Sequence, residues 1–257
     1  EQEINYMTEL FASCQIPANI TQQERNVVEQ GITVLKMSQV GEKEVLPFAK
    51  GQVVASLRPG VWAISWVRDG AFSIEAMSKL GMYAEAKKFL EFMLNAKPTN
   101  QFIHYVHTDG MDYGLGVPYI VSLTRYFGNG REECDYTTDG GPNIEMDDLG
   151  LFLTACYYYV QQSKDVNFLK KWDNELRIIG NAIVFNINEK NIIRRDSGPW
   201  EHHLPGKEFM WTSGTCARGL ELMSQLQKQY GLEYQTFESA AQRIKKGILQ
   251  NCLVAGK

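Results

Sequence analysis

Three short clusters in this 257-residue chain have residue types and spacings that could do chemistry. The first is Trp62-Ala63-Ile64-Ser65-Trp66-Val67-Arg68-Asp69-Gly70. Two indoles four residues apart offer planar faces, and the adjacent Arg68 and Asp69 can donate to and accept from hydroxyl groups, the makeup of a site for a small polar ligand. Asp69 would equally serve as a helix N-cap. The second cluster, Asp139 to Gly150, carries Glu145, Asp147 and Asp148 just ahead of a helical pattern. Acidic residues suit the positive N-terminal end of a helix, whose potential should keep Asp147 and Asp148 ionised. The third is Arg194-Arg195-Asp196-Ser197-Gly198-Pro199-Trp200-Glu201-His202-His203. Glu201 stands in a loop beside Trp200, and an indole can desolvate a carboxyl and hold it protonated, as a general acid requires.

Metal chemistry is less well served. Asp135-x-Thr137-x-Asp139-Gly140 half matches a calcium loop, but its closing acidic position falls on Met146. His202 and His203 are adjacent and would point apart, and His104-x-x-His107 has no carboxylate or thiol at ligand spacing. Cys14, Cys134, Cys156, Cys216 and Cys252 are odd in number and widely spaced, which suggests isolated thiols packed as small hydrophobes. No metal and no cofactor is therefore expected.

These clusters need a scaffold, and helical periodicity accounts for most of the chain. Seven helices are expected near 21–38, 69–80, 82–95, 146–162, 165–185, 212–230 and 234–252. Their connections alternate: long before the second, fourth and sixth helices, short after each, at Gly81, Ser163-Lys164 and Gly231-Leu232. Short links make antiparallel hairpins, so those three helices run the same way and the long loops gather at one end. Trp62, Trp66, Trp200 and Trp211 all fall in or beside those loops, and loops this long are usually functional. Phe102 to Val106 reads as a short strand, and residues 1–20, without periodicity, read as a linker or N-terminal extension.

Composition excludes other classes. With 44% hydrophobic and 22% charged residues the chain is of ordinary globular makeup. A net charge of −4 argues against a nucleic-acid partner, and no apolar run is long enough for a membrane span. The chain begins at Glu1 with neither an initiator Met nor an export segment, as a mature or excised form would. Its compartment is undetermined, with a secreted or periplasmic location favoured over a cytoplasmic one; Asn19-Ile20-Thr21 is a glycosylation sequon of low specificity.

Taken in order, the motifs resemble the glucoamylase-type glycoside hydrolases, family fifteen. The likeness runs over roughly residues 21–230: Glu24-Arg25 through Leu35-Lys36, Trp66-x-Arg68-Asp69, Glu145-x-Asp147-x-x-Gly150, Gly198-Pro199-Trp200-Glu201, and Ser213 through Leu220. The resemblance implies an all-α (α/α)6 toroid, incomplete here because seven helices cannot close a twelve-helix ring. It also implies exo-acting, inverting hydrolysis of α-glucosidic bonds, with glucoamylase, glucodextranase and trehalase activities all open. On the resemblance Glu201 is the general acid. Arg68 and Asp69 would hold hydroxyls of the first sugar, with Trp62, Trp66, Trp200 and Trp211 as pocket walls and Glu145, Asp147 and His203 facing the same site. Glu145 stands where bacterial members have Gln, and His203 where they have Arg. An inverting enzyme needs a second carboxyl ~6.5–9.5 Å from the first. That base is expected after Lys257, in a missing C-terminal part of the same domain, residues 21–257 forming the part present. The implied partner is an α-linked glucoside or oligosaccharide. The alternatives are a glycoside phosphorylase and a glycan-binding or regulatory toroid without activity.

Overall fold

The computed structural model describes residues 2–41, 47–57, 59–60, 62–134 and 141–252. Among them are eight helices: α1 Gln2–Ser13, α2 Gln22–Ser38, α3 Val67–Lys79, α4 Tyr83–Ala96, α5 Asp147–Ser163, α6 Val166–Phe185, α7 Met210–Gln229 and α8 Gln235–Asn251. All seven helices expected from periodicity are present. The eighth, α1, lies where a linker was expected; Met7, Leu10, Phe11 and Cys14 recur at helical spacing, a stripe too short to stand out among polar neighbours. The expected strand at 102–106 is instead a run of turns with a single bridge from Val106 to Asp112. The half-calcium loop at Asp135 to Gly140 lies outside the described residues.

Local chemistry makes the hairpins. Lys164 takes a left-handed C-cap conformation that ends α5, and the Asp165 side chain then accepts from Phe168 N at 2.9 Å to start α6. Gly81, at φ 79°, turns the chain between α3 and α4. Helix α2 opens with a capping box in which Thr21 and Glu24 satisfy each other's backbone N–H.

Helix α5 is the centre of the packing, with α3 on one side and α7 on the other; α4, α6 and α8 back these three from outside. Leu149, Phe152, Leu153, Cys156 and Val160 bury one face of it and Leu151 and Ala155 the other, so the apolar character runs around the helix. Helices α5 and α7 touch backbone to backbone: a Cβ on Gly219 would fall 2.3 Å from the Gly150 carbonyl oxygen. Only glycine permits that crossing.

Helices α3, α5 and α7 start at the same end, as the alternating links require, and the long loops lace together there. Val67 N donates to Thr124 O, Glu145 N to Leu123 O and Ser197 N to Ile144 O. Part of this lacing is a small antiparallel sheet of β1 Ser65–Trp66, β2 Arg125–Tyr126 and β3 Glu132–Glu133, in which Trp66 pairs with Arg125 and Arg125 with Glu133. On the α3, α5 and α7 face an apolar cavity of about 490 Å³ is lined by Phe72, Leu151, Tyr158, Met210 and Trp211. No helix among the described residues is long and apolar enough to cross a membrane.

Candidate active site

Helix α3 begins at Val67 with Trp66 as its N-cap, so Asp69 lies inside the first turn and is not the cap. This places Trp66, Arg68 and Asp69 on one turn at the mouth. Asp147 and Asp148 occupy the first turn of α5, Trp211 and Ser213 the first turn of α7. Ser213 is buried and accepts from Ile193 N at 3.0 Å, holding the loop that leads to Glu201.

A continuous set of polar contacts joins the three helix ends to that loop. Trp211 Nε1 donates to Asp147 Oδ2 at 2.8 Å, and Arg68 Nη1 stands 4.0 Å from the same oxygen. Arg68 Nη1 also donates to Glu145 Oε2, and Nη2 donates to Glu201 Oε1 at 3.2 Å. Trp66 Nε1 donates to Glu201 Oε1 at 2.9 Å, and Asn143 Nδ2 to Oε2 at 3.3 Å. Ala55, Trp62, Trp66, Asp69 and Glu201 line a cavity of about 270 Å³. A second, of about 350 Å³, shares Ala55 and Asp69 and adds Val54, Arg68, Phe72 and Ser73. Both are close to the lower size of small-molecule clefts, ~300 Å³.

The loop carrying Glu201 is tied down from below. Asp196, fully buried, accepts from Met146 N at 2.9 Å and from the Thr212 hydroxyl at 3.1 Å, pinning the loop to the starts of both α5 and α7. Glu201 itself has φ 51°, a left-handed backbone unusual for a non-glycine residue and a strain that clusters at functional sites. Its N–H closes a turn onto Gly198 O at 3.1 Å.

Electrostatics depart from expectation at the start of α5. Asp147 and Asp148 were expected to be held ionised by the helix end, but both are fully buried and the loss of water outweighs the dipole. Burial pushes the Asp148 carboxyl well above the usual carboxylate range; Glu145 and Asp147 push it further, and Arg68 opposes them. Glu145 is raised by burial, against the pull of Arg68. Asp147 is raised by burial, against its hydrogen bond from Trp211 and the charge of Arg68. Asp69 is reached by solvent, yet the protein crowded around it still raises its carboxyl, with Arg68 pulling back. For Arg68 burial works against the charge, but Asp148, Glu145 and Asp147 outweigh it and hold the guanidinium firmly protonated. Carboxylate oxygens of Glu145, Asp147 and Asp148 approach within 4.8 Å of one another, close enough to share a cation. The Arg68 guanidinium already supplies positive charge to this group.

Of the residues singled out in the sequence, Trp62, Trp66, Arg68, Asp69, Glu145, Asp147, Glu201 and Trp211 come together. Trp62 meets the Trp66 ring edge to face at 5.4 Å. Trp200 does not shield Glu201 as expected: it stands 77% exposed, and the indole on the carboxylate is that of Trp66. His203 Nδ1 faces the Gly141 carbonyl at 3.2 Å, while His202 stacks on Phe209. Two contacts of Glu201 escaped the sequence reading, Asn143 and Arg125, the latter with Nη1 3.6 Å from Oε2. Arg125 lies between Thr124 and Tyr126 in a stretch with no motif, and only strand pairing brings it to the mouth.

No family model matches the chain. Trehalase 1 of Sulfolobus acidocaldarius is 24% identical over 217 residues, 80% of this chain and 35% of that protein. Trehalase 2 of the same organism is 24% identical over 214 residues, 78% of this chain and 34% of that protein. The chain thus spans about a third of the length of these relatives, 35% and 34%. A solved glycosidase variant superposes with a TM-score of 0.70 at 16% identity, over 93% of this chain and 61% of that one. A wild-type glycosidase gives 0.68 with the same identity and coverage, 16%, 93% and 61%. Hormoconis resinae glucoamylase gives 0.52 at 16% identity, over 87% of this chain and 37% of that one. Fold and relatives agree: the chain is similar in sequence to trehalases and in fold to solved glycosidases and a glucoamylase. More particularly, the chain is a distant homologue of the archaeal trehalases and has part of the glucoamylase toroid fold over most of its length.

Proposed function

We propose that the chain carries the acid half of the active site of an exo-acting, inverting hydrolase of α-glucosidic bonds, with trehalose the first substrate to try because both curated relatives are trehalases. The observation that carries this reading is the position of the Glu201 carboxylate, in one small cavity with Asp69, Trp62 and Trp66. Glu201 delivers a proton to the glycosidic oxygen as the bond to the anomeric carbon breaks. Water attacks that carbon from the opposite face and loses its proton to a second carboxylate. That base comes, on the family resemblance, from beyond Lys257. Asp69 accepts from, and Arg68 donates to, hydroxyls of the first sugar, while Trp62 and Trp66 wall it. Glu145 accepts from Arg68 through Oε2, and its Oε1 has no hydrogen-bond partner among the described residues. Trp211 and Asp147 hold Arg68 from behind.

The test is a proton NMR time course of the full-length protein with trehalose and with maltose, with and without inorganic phosphate. Equal amounts of α- and β-glucose formed first from trehalose, or β-glucose formed first from the non-reducing unit of maltose, support inverting hydrolysis, whereas α-glucose alone from trehalose replaces it with a retaining mechanism. Glucose 1-phosphate appearing only with phosphate replaces it with a phosphorylase. Binding without turnover replaces it with a glycan-binding module.

A further inference from the structure

We infer that Arg125 is a positioning residue for Glu201, presented by the three-stranded sheet; the inference rests on the reading of Glu201 as proton donor. Residues paired directly across antiparallel strands project to the same face. The register Trp66 to Arg125 to Glu133 therefore sets three side chains in a row. Their contacts follow. Arg125 Nε donates to Glu133 Oε2, the guanidinium carbon lies 4.8 Å from the Trp66 ring centroid, and Nη1 is 3.6 Å from Glu201 Oε2. Because Trp66 Nε1 donates to Glu201 Oε1, the circuit Arg125, Trp66, Glu201 closes on itself.

The carboxylate has need of such support. Glu201 sits on a left-handed turn, its side chain is 32% exposed, and the groups that hold its carboxylate come from outside its own loop. Oε1 is held by Trp66 and Arg68, Oε2 by Asn143 and, as an ion pair, by Arg125. The two arginines differ in what a ligand would do to them. Arg68 lines the cavity with Asp69, so a sugar's hydroxyls would compete for it. Arg125 is only 8% exposed and its cation lies over the Trp66 ring, so it stays with Glu201 while the cavity fills. A planar fork is needed for this: one edge is spent on Glu133, another faces Glu201, and the flat face stacks on an indole.

The experiment compares wild type, Arg125→Met, Arg125→Lys and Glu133→Gln in the full-length protein, on trehalose and on α-glucosyl fluoride, whose leaving group departs without a proton. Misplacing a catalytic group by about 1 Å costs ~10²-fold in rate. Arg125→Met should therefore lose on the order of 10²-fold in kcat on trehalose and much less on the fluoride, with KM unchanged on both. Arg125→Lys should recover part of the loss, and Glu133→Gln, which leaves the buried cation in place, should show a smaller loss of the same pattern. Equal losses on both substrates, or a raised KM with kcat intact, would overturn the inference. A second readout is independent of turnover: hydrogen exchange of the Trp66 indole N–H, assigned with Trp66→Phe. It should quicken on the order of tenfold in Arg125→Met or, should that variant not fold, measurably in Glu133→Gln, as its acceptor is freed. An unchanged rate overturns the positioning role. Wild type inactive on both substrates would defeat the proposed function instead, and the exchange rates would still decide the role of Arg125.

Discussion

Trp66 and Glu201 are 135 positions apart in sequence, yet the Trp66 indole N–H donates to Glu201 Oε1 at 2.9 Å. The bond ties the N-cap of α3 to the loop before α7. It also gives Trp66 two functions, since the same ring walls the cavity that the carboxylate faces.

Glu201→Gln should keep the shape of the side chain and one acceptor for Trp66 and Arg68, but cannot deliver a proton. We expect a rate loss of ~10²–10⁴-fold on trehalose or maltose, with a smaller loss on α-glucosyl fluoride. Steady-state kinetics on both substrates check this, and equal losses on both would remove the proton-donor role.

Asp69→Ala should weaken binding of a monosaccharide-sized inhibitor by ~1.5–3 kcal/mol, the worth of a hydrogen bond to a charged group. The fold should survive, because Trp66 and not Asp69 stands at the N-cap of α3. The protein crowded around Asp69 raises its carboxyl, so affinity in the wild type should begin to fall on acidification at a higher pH than an ordinary aspartate would give. Calorimetric titration across pH reads both effects, and unchanged affinity in the variant would return Asp69 to a structural role.

Asp148→Asn should stabilise the protein near neutral pH. The side chain is fully buried, and neither carboxylate oxygen has a hydrogen-bond partner among the described residues. Its folded pKa lies above its unfolded value, so the folded state retains a proton that the unfolded state releases. Stability from this group is therefore complete below the unfolded value of ~3.9 and is lost as pH rises toward the folded one. The gain from Asn should be on the order of 1–3 kcal/mol at pH 7 and vanish below about pH 4. Thermal melts at the two pH values measure it, and a gain that grows in acid would contradict it.

Gly219→Ala should destabilise by overpacking, ~1–3 kcal/mol, because the new methyl group would meet the Gly150 carbonyl on the neighbouring helix. Gly214→Ala, on the same helix with open space around its Cβ position, should be tolerated. Chemical denaturation of the two variants compares them, and equal stability would mean that α5 and α7 can separate at no cost.

Much of the architecture was legible in the sequence, because helices declare themselves locally. A 3.6-residue apolar stripe, a glycine or short polar link and a long loop are properties of neighbouring residues, and their alternation was enough to set three helices parallel with the loops at one end. The grouping of Trp62, Trp66, Arg68, Asp69, Glu145 and Glu201 followed from that polarity. Helix α1 escaped because its apolar face is brief, and the 102–106 segment read as a strand because β-branched and aromatic residues suit a strand wherever they occur, while pairing depends on a partner the local pattern does not name.

Tertiary structure alone decided the chemistry of the individual groups. Whether Asp147 and Asp148 sit ionised at a helix end or are pushed toward neutrality depends on how much water packing removes, and the side chains that exclude it come from α3 and α7. Which indole meets Glu201 was decided the same way: Trp200 is next to it in sequence and turns outward, while Trp66 reaches it through space. Arg125 carries no local signal at all. Its place over Trp66 and beside Glu201 comes from a two-residue strand pairing, which exists only once the loops before α3 and α5 have docked. Periodicity is short-ranged and can be read along the chain, whereas desolvation and long-range contact are properties of the assembled surface.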